Sequence, residues 1–246
     1  MQNNDAFQLI GTNRTSAFVV LCDHASNIVP SAINNGDLGL PPQDMARHIA
    51  YDIGAAGLSI ELGALLDAPV LLSKFSRLVI DPNRGETDPT LIMQLYDGSI
   101  IPANRDLNDE MREARLQAFH RPYRQAAQTL VSQRERPIIV SIHSFTPQLA
   151  GRPKRPWEIG VLFSDDERFS KPLIETFETT TNYTVGKNQP YSGHLPNDTM
   201  DVIALQKHHL HALIEVRNDL IEQDSDQKAW AQTLAKALTT TSENLS

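Results

Sequence analysis

His24 and His143 each close an apolar run, in Ala17-Phe-Val-Val-Leu-Cys22-Asp23-His24 and in Pro137-Ile-Ile-Val-Ser-Ile142-His143-Ser-Phe-Thr146. Neutral imidazole is a good zinc ligand, and an adjacent acid such as Asp23 can orient the ring. One such histidine is a loop residue hydrogen-bonded to its neighbour; two at the ends of separate buried strands point to a shared metal. A third run, Ala212-Leu-Ile214, leads into Glu215-Val-Arg217. An ionised carboxylate leaving an apolar stretch is costly unless it is paired or used. Its use would be as a general base beside an activated water. Its pairing would be with Arg217, which shares its strand face. A fourth run, Arg77-Leu-Val-Ile80, leads into Asp81-Pro-Asn-Arg84. Arginine presents a planar fork to a carboxylate, and Asn83 adds an amide for the same ligand. The competing reading is a turn capped by Asp81, with Arg84 in a surface ion pair worth about 0–1 kcal/mol. Two histidines, a carboxylate and an arginine in one crevice are the parts of a metal-assisted hydrolase.

Other candidates are weaker. Cys22 has no local base or cation, so it reads as a buried hydrophobe before a nucleophile. His48 and Asp52 stand four apart on one expected helix face, where a structural hydrogen bond outweighs metal binding. His208, His209 and His211 fit a loop or a solvated face. The sequence has no Gly-x-Ser-x-Gly elbow, no phosphate-cradling loop and no dinucleotide fingerprint.

The elements that must deliver these residues are strands over 17–22, 69–73, 77–81, 137–142, 159–163 and 211–217. Helices are expected over 41–66, opened by Pro41-Pro42, and over 108–132 with Asn108 as N-cap. Two more cover 166–180 and 225–238. Gly54, Gly57 and Gly63 weaken the first helix by about 1 kcal/mol each against alanine, or divide it in two. Three long irregular loops, 84–106, one containing Gly151-Arg-Pro-Lys-Arg-Pro156, and 188–198, are expected to crowd one edge. Strands alternating with helices predict a single-domain three-layer α/β/α fold, with a mostly parallel sheet whose carboxyl ends gather the site.

The 246 residues carry 30 acidic and 22 basic side chains, a net charge of −8, which argues against a broad nucleic-acid surface. With Cys22 the one cysteine, no internal disulfide forms. The first residues lack signal-peptide character, and no apolar stretch reaches the roughly 20 residues that span a bilayer. A soluble cytoplasmic protein, with no membrane partner, is expected; oligomeric state is left open. The tail at 239–244 is expected to fray.

Six strings in order resemble the N-formylglutamate amidohydrolase family: Asp23-His-Ala-Ser-Asn27 with Pro30, Ser76-Arg-Leu-Val-Ile-Asp-Pro-Asn-Arg84, Ile101-Pro-Ala-Asn104, His143-Ser-Phe-Thr-Pro147, Asn188-Gln-Pro-Tyr-Ser-Gly193 and Ile214-Glu-Val-Arg-Asn-Asp-Leu220. That family is more distantly similar to the zinc carboxypeptidases and aspartoacylases. The resemblance implies a zinc-carboxypeptidase-like (phosphorylase/hydrolase-like) fold and zinc-dependent hydrolysis of a small anionic N-acyl amino acid, N-formyl-L-glutamate foremost. It implies His24 and His143 as metal ligands, Asn83 and Arg84 as the carboxylate clamp, and Glu215 as the base. A dicarboxylate needs a second cation, from Arg152, Arg155 or Arg217. Asn27 stands where the wider group has a ligand glutamate, so a third ligand must come from elsewhere, with Asp23 and Asp52 the candidates. The alternatives are a related N-acyl amino acid deacylase or carboxypeptidase-like hydrolase, and a non-catalytic ligand-binding relative with a degraded metal site.

Overall fold

The computed structural model describes residues 5–149, 151–193 and 195–245. Its strands are β1 (Phe7–Ile10), β2 (Phe18–Cys22), β3 (Val70–Ser73), β4 (Leu95–Tyr96), β5 (Ser99–Ile100), β6 (Ile138–Phe145), β7 (Ile159–Leu162), β8 (Val185–Lys187) and β9 (Leu210–Arg217). Its α-helices are α1 (Pro42–Met45), α2 (Ala55–Leu65), α3 (Asp109–Arg115), α4 (Arg121–Ser132), α5 (Ser170–Thr180), α6 (Thr199–Ile203) and α7 (Asp224–Asn244). Seven strands form one sheet in the order β1-β3-β2-β6-β9-β7-β8, while β4 and β5 form a separate small hairpin. The central β3, β2, β6 and β9 run parallel; β1 and β7 join them antiparallel. The expected mostly parallel, mixed sheet is therefore present.

Both faces of that sheet are covered, which is why its strands read as continuous apolar runs. Val20, Val140, Ala212 and Val161 pack with α2, α5 and α7 on one side. The alternate residues Val19, Leu21, Ile139 and Leu213 pack with α4 and α6 on the other. Leu58 and Leu62 of α2 are wholly buried, worth roughly 1.5–3 kcal/mol each. Along the α4 face the strands turn polar toward their carboxyl ends. Leu21 gives way to Asp23, Ile139 to Ser141 and His143, and Leu213 to Glu215. Helix cover ends there, and the site begins. Among the described residues no helix is long and apolar enough to cross a membrane.

Several elements differ from expectation. Residues 77–81 are buried but are not a strand. Their carbonyls are taken by side chains: Asn104 Nδ2 donates to Leu78 O at 2.8 Å and Arg115 Nη1 to Val79 O at 2.7 Å. Leu78, Val79 and Ile80 fill a third cluster with Phe75, Leu91, Ile101 and Phe119. An apolar run alone does not distinguish a strand from such a buried loop.

The stretch 41–66 is two helices separated by residues 46–54. Gly54 marks the break at φ +79°, and a Cβ there would lie 2.2 Å from Ile221 O, so the left-handed turn and the close approach both require glycine. Asn108 does cap α3, accepting from Met111 N at 2.8 Å, but a π-helical turn at Leu116–His120 interrupts the long helix. Helix α5 begins at Ser170, four residues later than expected. The tail is ordered as the end of α7, where Thr241 is buried and its hydroxyl lies 3.2 Å from Thr176 Oγ1.

Candidate active site

A cleft of roughly 620 Å³, its open mouth included, lies at the polar end of the sheet and is lined by His24, Asp52, Asn83, Arg84, His143 and Glu215 among others. His24 arrives just past the end of β2, while His143 and Glu215 are interior residues of β6 and β9. They are direct partners in the parallel register. Arg84 and Asn83 come from the loop after β3. The break at 46–54 brings in Asp52, whose N–H donates to His24 O at 2.9 Å.

His24, Asp52 and His143 offer ligand atoms that all lie within 4.8 Å of one another. Asp52 Oδ2 sits 2.8 Å from His143 Nδ1 and 3.4 Å from His24 Nδ1. The outer nitrogens face other buried acids: His24 Nε2 is 2.7 Å from Asp81 Oδ1, and His143 Nε2 is 3.3 Å from Asp23 Oδ2. A histidine ligand held by a carboxylate at its far nitrogen is the usual outer arrangement of a metal site. Of the two acids expected to supply a third ligand, Asp52 reaches the cluster and Asp23 backs His143. Asn27 is not part of it, since its Nδ2 donates to Met45 O at 2.9 Å.

The electrostatics fit a cation. Burial opposes ionisation of Asp52, yet His24 and His143 hold its carboxyl well below the usual range. Asp81 is likewise held low, by His24 and Arg77 against its burial. Burial disfavours the charged His143 ring, but Asp23 and Asp52 outweigh it and raise its pKa well above the ordinary value. A metal would compete with that proton for the same acid-rich pocket. Among the described residues, His24 Nδ1 and His143 Nε2 are buried without a hydrogen-bond partner. A nitrogen, oxygen, nitrogen donor set with carboxylate-backed imidazoles suits zinc.

Glu215 is buried, and its Oε2 has no hydrogen-bond partner. Burial pushes its carboxyl up to about 8, against the pull of His143 and with the help of Asp52. It does not pair with Arg217. That guanidinium donates to Asp219 Oδ1 at 2.7 Å and to Trp157 O at 3.2 Å, and lies 3.6 Å from Glu158 Oε1, outside the cleft lining. Arg217, expected to bind substrate, is not among the residues that line the cleft.

Among the described residues Arg84 makes no ion pair. Its Nε donates to Thr90 Oγ1 at 3.1 Å and its Nη1 to Asn83 O at 2.8 Å, leaving Nη2 without a partner among the described residues. Asn83 Oδ1 accepts from Thr199 N at 3.1 Å, which leaves its Nδ2 for the cleft. Arg155 stacks 5.2 Å from the ring centre of Tyr191, a cleft residue, and its Nη2 lies 3.4 Å from the Tyr191 hydroxyl. Arg152 is exposed and is not among the residues that line the cleft.

Arg77 also lines the cleft, but both terminal nitrogens are engaged, with Asp52 at 3.2 Å and Asp81 at 3.3 Å. His48 reaches the same wall, 3.4 Å from Asp52 Oδ1, and its burial lowers its pKa to about 4. It is not on a helix with Asp52, as its spacing implied. Cys22 is fully buried and its thiol pKa is raised first by that burial, which removes it as a nucleophile. The sequence reading missed Asp81 as the partner of His24, along with Tyr191, Asp198 and Thr199. Asp81 and Tyr191 lay within strings already singled out, while Asp198 and Thr199, at the start of α6, carried no signal of their own.

A family model for N-formylglutamate amidohydrolase matches residues 16–222. The crystal structure of gene product Atu2144 from Agrobacterium tumefaciens is 30% identical, with a TM-score of 0.91 over 98% of this chain and 96% of that one. The N-formylglutamate amidohydrolase of Ralstonia eutropha JMP134 is 19% identical, with a TM-score of 0.72 over 96% of this chain and 95% of that one. A metallo-carboxypeptidase from Pseudomonas aeruginosa aligns at 13% identity and a TM-score of 0.43, covering 94% of this chain and 59% of that one. No curated protein matches the chain.

Proposed function

Since this chain belongs to the N-formylglutamate amidohydrolase family, we propose that it cleaves the amide bond of a small N-acyl amino acid, with N-formyl-L-glutamate yielding formate and glutamate. The observation that carries this reading is the shared cleft. Glu215, unpaired and opposite His143 in the ladder, lines the same cleft as the Asn83–Arg84 pair. A carboxylate-anchored substrate bound by Arg84 brings its amide to the Glu215 end.

His24, Asp52 and His143 are the residues that would hold zinc. Zinc held there would supply Lewis acidity toward the acyl oxygen and would lower the pKa of water toward about 7. The protein's own groups do the rest. Arg84 and the Nδ2 of Asn83 hold the α-carboxylate by charge-assisted hydrogen bonds. Glu215 Oε2 accepts a proton from the attacking water and returns it to the nitrogen of the leaving amine. A carboxyl whose pKa lies near the working pH can do both. Asp81 and Asp23 keep the imidazoles of His24 and His143 in one orientation. Of the three arginines named for a second carboxylate, Arg155 is the one beside a cleft residue, and it takes that role here together with Tyr191.

Formate release from N-formyl-L-glutamate by the purified protein tests the reading. Activity should disappear with a chelator and return with zinc. Turnover that survives rigorous metal removal would overturn the zinc part. Hydrolysis confined to acetyl or peptidyl substrates would move the enzyme to a related deacylase.

A further inference from the structure

We propose that Thr199 is a positioning residue, whose hydroxyl fastens the carboxylate behind His143 while its backbone N–H fastens the substrate clamp at Asn83. The proposal rests on the metal reading of the site given above.

Thr199 opens α6 and is fully buried. The helix does not need its hydroxyl as a cap, because Asp198 fills that place and accepts from Asp201 N at 2.7 Å. The free N–H of a first helical turn needs a partner, and for Thr199 it is Asn83 Oδ1 at 3.1 Å. The hydroxyl lies 3.1 Å from Asp23 Oδ1 and 3.2 Å from Pro82 O. A hydroxyl has one proton, and an ionised carboxylate is the stronger of the two acceptors.

These contacts link the two sides of the site. His143 Nε2 lies at ion-pair distance, 3.3 Å, from Asp23 Oδ2, and Asp23 Oδ1 accepts from the Thr199 hydroxyl at 3.1 Å. The Thr199 N–H continues the path to Asn83, whose own N–H donates to Asp81 Oδ1 at 2.9 Å. Asp81 Oδ1 ends the path 2.7 Å from His24 Nε2. The outer nitrogens of both candidate ligand histidines are therefore joined through Thr199 and the clamp asparagine. Ser141 Oγ donates to the other Asp23 oxygen at 3.1 Å, so Thr199 supplies the bond to the oxygen that Ser141 does not hold. Outer partners of this kind set how well the inner ligands are oriented.

The two halves of the residue separate by mutation. Thr199→Val removes the hydroxyl and keeps both the shape and the N–H to Asn83. Zinc affinity, measured by chelator competition, should fall about 10- to 100-fold. The visible bands of the cobalt(II)-substituted protein should shift, since they report geometry at the ion. The KM for N-formyl-L-glutamate at saturating zinc should change little. Thr199→Ser should restore both the affinity and the cobalt spectrum. Should Thr199→Val fail to fold by circular dichroism, Thr199→Ala carries the same measurements. Zinc binding and cobalt bands indifferent to the loss of the hydroxyl would overturn the proposal alone, as would a serine variant that restores neither. A wild-type protein that binds no zinc would overturn the metal reading, and this proposal with it.

Discussion

Glu215 and His143 are cross-strand partners, facing each other from the parallel β9 and β6 on the face where helix cover runs out. The pairing follows from strand geometry: with Ile139 and Leu213 buried against α4, every second residue onward shares that face. The proposed general base and the proposed metal ligand are thereby held at a fixed spacing by two of the most buried strands in the molecule. That rigidity is what a proton-transferring group needs.

Glu215→Gln should keep the fold and the metal but lose the proton acceptor. We expect kcat to fall about 100- to 10,000-fold with zinc content unchanged. Steady-state kinetics and elemental analysis on one preparation decide it. A variant retaining a tenth of the wild-type rate would take the base role away from this residue.

Much of this arrangement was legible in the sequence, because doubly covered parallel strands are continuous apolar runs and polar residues at their ends stand out. His24, His143 and Glu215 stood out that way and line one cleft, whereas the Asn83–Arg84 pair follows an apolar run that is a buried loop. The rest was hidden by backbone that carries no period. Asp52 enters only because Gly54 breaks the helix that its spacing to His48 implied. Residues 77–81 have the composition of a strand, yet Asn104 and Arg115 take over their carbonyls. Arg217 shares a strand face with Glu215, but Asp219 and Glu158 claim its guanidinium. Nothing in the alternation of a strand records which loop lies across its end.

The source of the third metal ligand separates Asp52 from Asn27. Asp52→Ala should abolish stoichiometric zinc binding, since it removes an inner donor and leaves Arg77 with one fewer partner. Asn27→Ala loses only a hydrogen bond to Met45 O, worth about 1 kcal/mol, and should bind zinc as wild type does. Metal content after dialysis against buffer without chelator reads both. Loss of zinc in the Asn27 variant would return that position to the metal site.

Substrate charge should be read by two different arginines. Arg84→Ala should raise KM for every N-formyl amino acid, by about 10- to 100-fold for one lost charge-assisted contact. Arg155→Met should act selectively, raising KM for N-formyl-L-glutamate while sparing N-formyl-L-glutamine. Arg217→Met should leave both KM values alone, because its partners lie outside the cleft lining. Equal losses on both substrates in the Arg155 variant would make it a structural residue of the Tyr191 loop.

Asp198 gives the stability a pH dependence. Burial pushes its carboxyl up to about 6 from 3.8, the N–H of Asp201 and the charge of Arg124 pulling it back and Asp23 adding to the rise. The folded protein therefore holds this proton more tightly than the unfolded chain. Stability linked to it is complete below about pH 4 and is lost as pH rises through about 6. A shift of this size corresponds to roughly 1–3 kcal/mol at neutral pH. Asp198→Asn is uncharged throughout and remains a good N-cap. Wild type and variant should melt within a degree or two of each other near pH 4, if capping alone decides there. The variant should become the more stable protein as pH rises past about 6, by the same roughly 1–3 kcal/mol. Urea titrations at both pH values measure the gap directly. A difference that stays constant with pH would mean that the Asp198 carboxyl titrates alike in the folded and unfolded chain.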